Sequence, residues 1–129
     1  MKKKYLIVVA DYYKDISIGL LKSAKDLLPK SDFIKTISVP GVFEIPVTIA
    51  KNIKKYDAFI ALGCVIKGQT PHFDFISKAS IDAIMRLSIE SKKPVGNGII
   101  TCLNMSQAII RKKKGGEAAE AVKSILLQQ

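Results

Sequence analysis

His72 is the only histidine in the 129-residue chain, and it follows Gly68-Gln69-Thr70-Pro71. Gly68 lets the backbone approach a ligand closely, and the N–H groups of Gln69 and Thr70 are free to point at the same place. Thr70 reads as a helix cap with Pro71 at the first helical position, so the dipole of that helix adds partial positive charge. Together these residues describe an anion site. An imidazole with an ordinary pKa near ~6.5 beside such a site is suited to carrying protons. The plainer reading of the same residues is an ordinary helix start with a partly exposed histidine.

Other candidates lie at the ends of apolar runs. Glu44 falls in an otherwise apolar segment between Pro40 and Pro46. It either favours the start of a helix or accepts hydrogen bonds from hydroxyl or ring N–H groups of a ligand. Arg111, at the end of a helix, either complements that helix dipole or clamps a phosphate. Tyr12 and Phe43 are aromatics that either join the core or cover a flat heterocycle. Cys64 and Cys102 end apolar strands and read as small core hydrophobes rather than a disulfide framework. One histidine without a cysteine cluster gives no recognisable metal site.

The elements that must position these groups follow from periodicity. Tyr5 to Ala10 is a continuous apolar run, as expected of a strand buried on both faces of a parallel sheet. Ile16, Leu20, Ala24, Leu27 and Leu28 recur at helical spacing and stop before Pro29. Ile34 to Val39 is a second strand, and the turn from Pro40 to Pro46 opens a helix reaching about residue 54. Ala58 to Leu62 is the third strand, leading into the glycine loop and a helix from Thr70 to about Ser91. Val95 to Thr101 is the fourth strand, and Met105 to Arg111 and Gly116 to Leu127 are two terminal helices. Alternating strands and helices predict a parallel α/β sheet with helices on both faces, in one domain spanning 1–129. Ligands of such sheets bind at the carboxyl ends of strands, which selects Asp11 to Tyr13, Gly41 to Glu44, Cys64 to His72 and the segment around Asn97 to Asn104.

The totals narrow the class. Twenty-one Lys and Arg against 11 Asp and Glu give a formal net charge of +10. The lysines are dispersed, with short clusters at 2–4 and at Arg111 to Lys114, and no arginine-rich or aromatic-interleaved motif accompanies them. Nucleic-acid binding is therefore not expected, whereas a field that attracts a phosphorylated substrate is compatible with the charge. No apolar run approaches the ~20 residues of a membrane span, and the amino terminus shows no small-residue cleavage site. A soluble, cytoplasmic protein is the expectation. A hydrophobic content of 48% with positive mean hydropathy suggests burial between subunits, hence a homo-oligomer.

Four segments carry a resemblance. Val39-Pro40-Gly41-Val42-Phe43-Glu44-Ile45-Pro46, the stretch from Gly63 to Asp74, Asn97-Gly98-Ile99-Ile100-Thr101, and Gln107-Ala108 with Arg111 resemble, in this order over nearly the whole chain, the 6,7-dimethyl-8-ribityllumazine synthase family. The resemblance implies a flavodoxin-like three-layer sandwich with a four-stranded parallel sheet, assembled from pentamers with active sites between subunits. It implies condensation of 5-amino-6-(D-ribitylamino)uracil with 3,4-dihydroxy-2-butanone 4-phosphate, the penultimate step of riboflavin biosynthesis, without metal or organic cofactor. Riboflavin synthase is implied as a partner. By position, Tyr12 matches the aromatic that stacks on the pyrimidine. Val42, Phe43 and Glu44 match the ribityl-holding segment, and Cys64, Val65 and Ile66 match the strand end beside the pyrimidine. Gly68, Gln69 and Thr70 match the phosphate turn, Arg111 the phosphate-binding arginine, and His72 the proton-transfer residue.

Some positions depart from the family pattern. Tyr13 stands where a small polar residue, often Asn, is usual, and Asn97 replaces a Phe that many members place over the substrate ring. The segment from Lys112 to Glu117 is shorter than the family's loop and keeps Lys114, Gly115 and Glu117 as supporting residues. Three other readings compete with the enzyme. A relative that dismutates two lumazines would have no use for a phosphate turn and Arg111. A catalytically silent flavin-binding or shell-forming protein would have no use for His72, Glu44 and Arg111 together. A nucleic-acid module rests on charge alone.

Overall fold

The computed structural model describes residues 2–128. In chain order it contains β1 (Lys4–Ala10), α1 (Lys14–Asp26), β2 (Phe33–Val39), a 3-10 turn (Val42–Glu44), α2 (Ile45–Lys51), β3 (Ala58–Ile66), α3 (His72–Ser91), β4 (Val95–Cys102), α4 (Met105–Ile110) and α5 (Lys114–Leu126). The four strands are parallel and lie in the order β2-β1-β3-β4. Helices cover both faces, as expected of a three-layer α/β sandwich.

Side chains alternate between the faces of a strand, so each strand feeds two cores. Tyr5, Ile7 and Val9 with Ile60, Leu62, Cys64 and Cys102 pack under α1, α4 and α5. Leu6, Val8 and Ala10 with Phe59, Ala61 and Ile99 pack under α2 and α3. Burial on both sides explains why β1 and β3 read as unbroken apolar runs. Strand order reverses between β1 and β3, and a crevice opens beyond their carboxyl ends at such a switch point.

Most boundaries agree with the sequence reading to within a residue or two, and four differences bear on the fold. Strand β3 continues four residues past Leu62, because Gly63, Cys64, Val65 and Ile66 pair with Ile99, Ile100, Thr101 and Cys102. The segment expected to open the glycine loop is therefore sheet. Helix α3 starts at His72, with Pro71 in the capping position, and Thr70 contributes a long hydrogen bond of 3.4 Å from the His72 N–H to its hydroxyl. Helix α2 ends at Lys51, where Asn52 turns its side-chain amide back onto the Thr48 carbonyl at 2.8 Å. Helix α5 starts at Lys114 and takes in Gly115 and Gly116, which let it lie directly on the α1 backbone at Leu20 and on Ser23. At the other end of the sheet, Lys92 closes α3 in the left-handed region at φ 60°.

Candidate functional site

A cavity of about 600 Å³ lies in the crevice, lined by Tyr12, Tyr13, Gly41, Val42, Phe43, Glu44, Cys64, Val65, Ile66, His72 and Ile76. Three connections bring these residues together. Tyr12 and Tyr13 leave the end of β1, the 3-10 turn after β2 supplies Val42 to Glu44, and the extension of β3 supplies Cys64 to Ile66. The first and second turns of α3 supply His72 and Ile76, which lie on one helix face at a spacing of four.

The 3-10 turn is seated by its buried member. Val42 is buried against the sheet, while Phe43 is 62% exposed and projects outward. The Glu44 N–H donates to the Gly41 carbonyl at 3.1 Å, and the Thr48 hydroxyl donates to the Glu44 carbonyl at 2.9 Å. These bonds occupy the Glu44 backbone, and among the described residues its side chain makes no hydrogen bond. Glu44 is the N-cap residue of α2 and makes no side-chain cap bond there, so its carboxylate is open at the cavity rim.

The floor is apolar and uncharged. Burial, reinforced by the neighbouring Cys102 thiol, pushes Cys64 up to about 12, so the thiol stays protonated. Cys64 and Cys102 are both buried and unpaired, as expected of core cysteines. Tyr13 is raised above the usual phenol value by burial first and by Tyr12 and Cys64 after it. At the rim, Tyr12 is 74% exposed, and its ring stands edge-to-face with Tyr13 at 4.9 Å between centroids.

The remaining expected residues lie elsewhere. Gly68, Gln69 and Thr70 are exposed in the connection from β3 to α3, on the same edge of the sheet but outside the cavity lining. Nothing lies within 4 Å of the place a Cβ at Gly68 would occupy, so that backbone is open to a ligand. Arg111 caps the C-terminus of α4, exposed, with Nη1 3.5 Å from the Thr101 carbonyl. That helix is set by a reciprocal pair in which Asn104 accepts from the Gln107 N–H at 2.9 Å and Gln107 accepts from the Leu103 N–H at 2.8 Å. Asn97 belongs to the body of β4, opposite Ala61, and its side chain accepts from the Ile99 N–H at 3.0 Å. The sequence reading already held Asn97 within the strand from Val95 to Thr101, and what is corrected is its selection as part of a carboxyl-end segment: the strand continues to Cys102, five residues on, which is roughly 16 Å at strand rise. Lys114 and Glu117 face each other at 3.6 Å on the surface of α5.

Tyr13 and Gly41 fell within the strand-end segments selected from sequence but were given no role, and Ile76 lay outside those segments. Ile76 was reachable from the four-residue spacing to His72, and Gly41 from the motif that contains it. Among the described residues no group of three or more His, Cys, Asp or Glu could hold a metal ion, and no helix is long and apolar enough to cross a membrane.

Comparison with known proteins adds the family. A sequence model described as 6,7-dimethyl-8-ribityllumazine synthase matches residues 2–128. The chain is 46% identical to the 6,7-dimethyl-8-ribityllumazine synthase of Bartonella tribocorum over 94% of its length and 87% of that protein. It is 43% identical to 6,7-dimethyl-8-ribityllumazine synthase 1 of Rhodopseudomonas palustris, covering 95% of this chain and 83% of the relative. Against the synthase of Agrobacterium fabrum it is 40% identical, covering 98% and 95%.

Proposed function

The chain belongs to the 6,7-dimethyl-8-ribityllumazine synthase family, and we propose that its reaction takes place in the crevice between Tyr12 and His72. The reaction is a transfer in riboflavin biosynthesis: 5-amino-6-(D-ribitylamino)uracil condenses with 3,4-dihydroxy-2-butanone 4-phosphate to give 6,7-dimethyl-8-ribityllumazine, phosphate and water. One observation carries the assignment to this crevice. Tyr12, Val42, Phe43, Glu44, Cys64, Val65, Ile66 and His72, distant in sequence, line a single cavity.

In this reading the pyrimidine lies on the apolar floor of Cys64, Val65 and Ile66 with the Tyr12 ring over it, and the neutral thiol brings no charge against the ring. Val42 and Phe43 flank the ribityl chain, whose hydroxyls donate to the Glu44 carboxylate. The amine attacks the ketone, and the carbinolamine loses water only if a proton is delivered to its oxygen and another is removed from nitrogen. His72, at the start of α3 on the cavity wall, carries those protons. The phosphate lies over Gly68 with the N–H groups of Gln69 and Thr70, and Arg111 balances its charge as it leaves by β-elimination. Holding two substrates face to face supplies most of the remaining acceleration.

Arg111 and Asn97 are outside the cavity lining of their own chain. In this reading they reach the site of a neighbouring copy, in an assembly of pentamers with active sites between subunits, as the family resemblance implies. Phe43 and Phe75, 62% and 69% exposed, are apolar surfaces that such contacts would cover. Lys114 and Glu117, paired in the first turn of α5, support this arrangement from the same loop region as Arg111. Two unpaired cysteines suit a reducing compartment, and the cytoplasm, where riboflavin synthase would consume the product, is the proposed location.

The test is lumazine formation by purified protein given both substrates. His72→Ala is expected to lower turnover by roughly tens to thousands-fold, and Arg111→Ala to raise KM for the phosphorylated ketone. A wild-type protein that binds lumazine yet makes none above the spontaneous rate would point instead to a silent binding or shell-forming member of the family.

A further inference from the structure

We infer that Tyr13 is a positioning residue for the pyrimidine substrate, holding the Tyr12 ring in place at the mouth of the cavity. The inference rests on the proposal that Tyr12 stacks on that substrate.

Tyr12 needs such support. It is 74% exposed, so few neighbours fix its side-chain rotamer, and a ring that swings freely must be ordered each time a ligand stacks on it. Tyr13 provides the one aromatic contact Tyr12 makes among the described residues, with the rings 4.9 Å apart and 83° between planes. That edge-to-face arrangement is the favourable one for two quadrupoles.

Tyr13 is itself anchored. Its ring packs against the core cluster that contains Ile16, Leu62 and Cys64, and it reaches the same cavity as Tyr12. Its carbonyl accepts from the Ser17 N–H at 2.9 Å and from the Ser17 hydroxyl at 3.0 Å. The same hydroxyl lies 2.6 Å from the Ala10 carbonyl at the end of β1. A continuous chain of contacts thus runs from the sheet through Ser17 and Tyr13 to Tyr12. A small polar residue at 13 could touch a ligand directly but could not buttress a neighbouring ring. Position 13 in this chain therefore acts through Tyr12, by its ring rather than its hydroxyl.

The experiment measures binding of 5-amino-6-(D-ribitylamino)uracil, and steady-state kinetics with both substrates, for Tyr13→Phe, Tyr13→Leu, Tyr12→Ala and the Tyr12→Ala/Tyr13→Leu pair. Tyr13→Leu keeps an apolar side chain and loses the ring; its Kd and KM for the pyrimidine are expected to rise about three- to tenfold, with KM for the butanone phosphate unchanged. Tyr13→Phe should stay within about twofold of wild type, and the pair should bind no more weakly than Tyr12→Ala alone. The inference is overturned if Tyr13→Leu binds as wild type, if Phe and Leu are equally impaired, or if both KM values rise together. Should Tyr12→Ala leave pyrimidine binding intact, the stacking proposal fails and takes the inference with it. Weakening by Tyr12→Ala but not by Tyr13→Leu removes the inference alone.

Discussion

Gly63 touches no part of the cavity, yet a single methyl there should damage it. A Cβ built on Gly63 would lie 2.7 Å from Val42 Cγ2, 3.2 Å from Ala10 Cβ and 3.6 Å from Ile45 Cδ1. Carbon atoms prefer about 3.5–4.0 Å, so Val42 has to retreat by roughly 1 Å. Ala10 belongs to the inner strand β1 and has no freedom to yield, which leaves the 3-10 turn to move. Overpacking of this size costs about 1–3 kcal/mol. Because the turn carries Phe43 and Glu44, a shift of about 1 Å on the side proposed to hold the ribityl chain is expected to lower kcat/KM by up to about 10²-fold. Urea unfolding and steady-state kinetics of Gly63→Ala measure the two effects. Adding Val42→Ala removes the colliding methyl groups, so the double variant should lose less stability than the sum of the singles, by about 1 kcal/mol or more. A Gly63→Ala protein as stable and as active as wild type, or strictly additive variants, would refute the steric argument.

Two further outcomes concern buried polar groups. Cys64 holds its proton up to about 12 in the folded chain against an ordinary 9.0. Below pH 9 both states are protonated and nothing changes; between 9 and 12 the unfolded chain releases the proton first, so stability falls as pH rises. Urea midpoints from pH 8 to 10.5 should decline less steeply for Cys64→Ala than for wild type, and iodoacetamide at pH 8 should modify folded Cys64 far more slowly than unfolded Cys64. The hydroxyls of Ser77 and Ser80 are buried in α3 without a hydrogen-bond partner among the described residues. Ser80→Ala is expected to be neutral or to stabilise by up to about 1 kcal/mol in thermal unfolding, and a loss beyond that would mean the hydroxyl has a partner in the assembly.

The parallel sheet was legible because strands covered on both faces must be apolar throughout, which Tyr5 to Ala10 and Ala58 to Leu62 display. Helix α1 was legible from Ile16, Leu20 and Ala24, whose spacing fixes one buried stripe. Gly63 hid the length of β3: glycine signals a turn locally, and only the pairing with Ile99 makes it strand. Gly115 misled in the same way at the start of α5, since its reason lies across space on Leu20. Tyr12, Val42 to Glu44, Cys64 to Ile66 and His72 meet in one cavity because each strand end supplies its own short segment, which the strand-end rule anticipates, whereas their individual roles came from the family resemblance. Asn97 and Arg111 were named without a geometry, because a match along the chain gives positions and not places in the fold. Tyr13 was placed in a site-forming loop but given no role, because adjacent tyrosines in a loop carry no period by which to tell anchor from ligand face.

The order of the strands has a consequence for synthesis. The inner strands β1 and β3 are first and third along the chain, and the Lys4 N–H bonds to Asp57, 53 residues away. A nascent chain that has made only β1, α1 and β2 can form a two-stranded sheet, but one long side of β1 is left bare, with apolar residues on both of its faces. At ribosomal rates of about 5–20 residues per second that edge waits several seconds for β3. Unpaired edges recruit other strands during such delays, so this is the interval in which a crowded polysome would favour misassociation. Arrival of β3 removes the edge and, in the same step, brings Cys64 to Ile66 alongside Tyr12, so the crevice is the seam along which the chain closes.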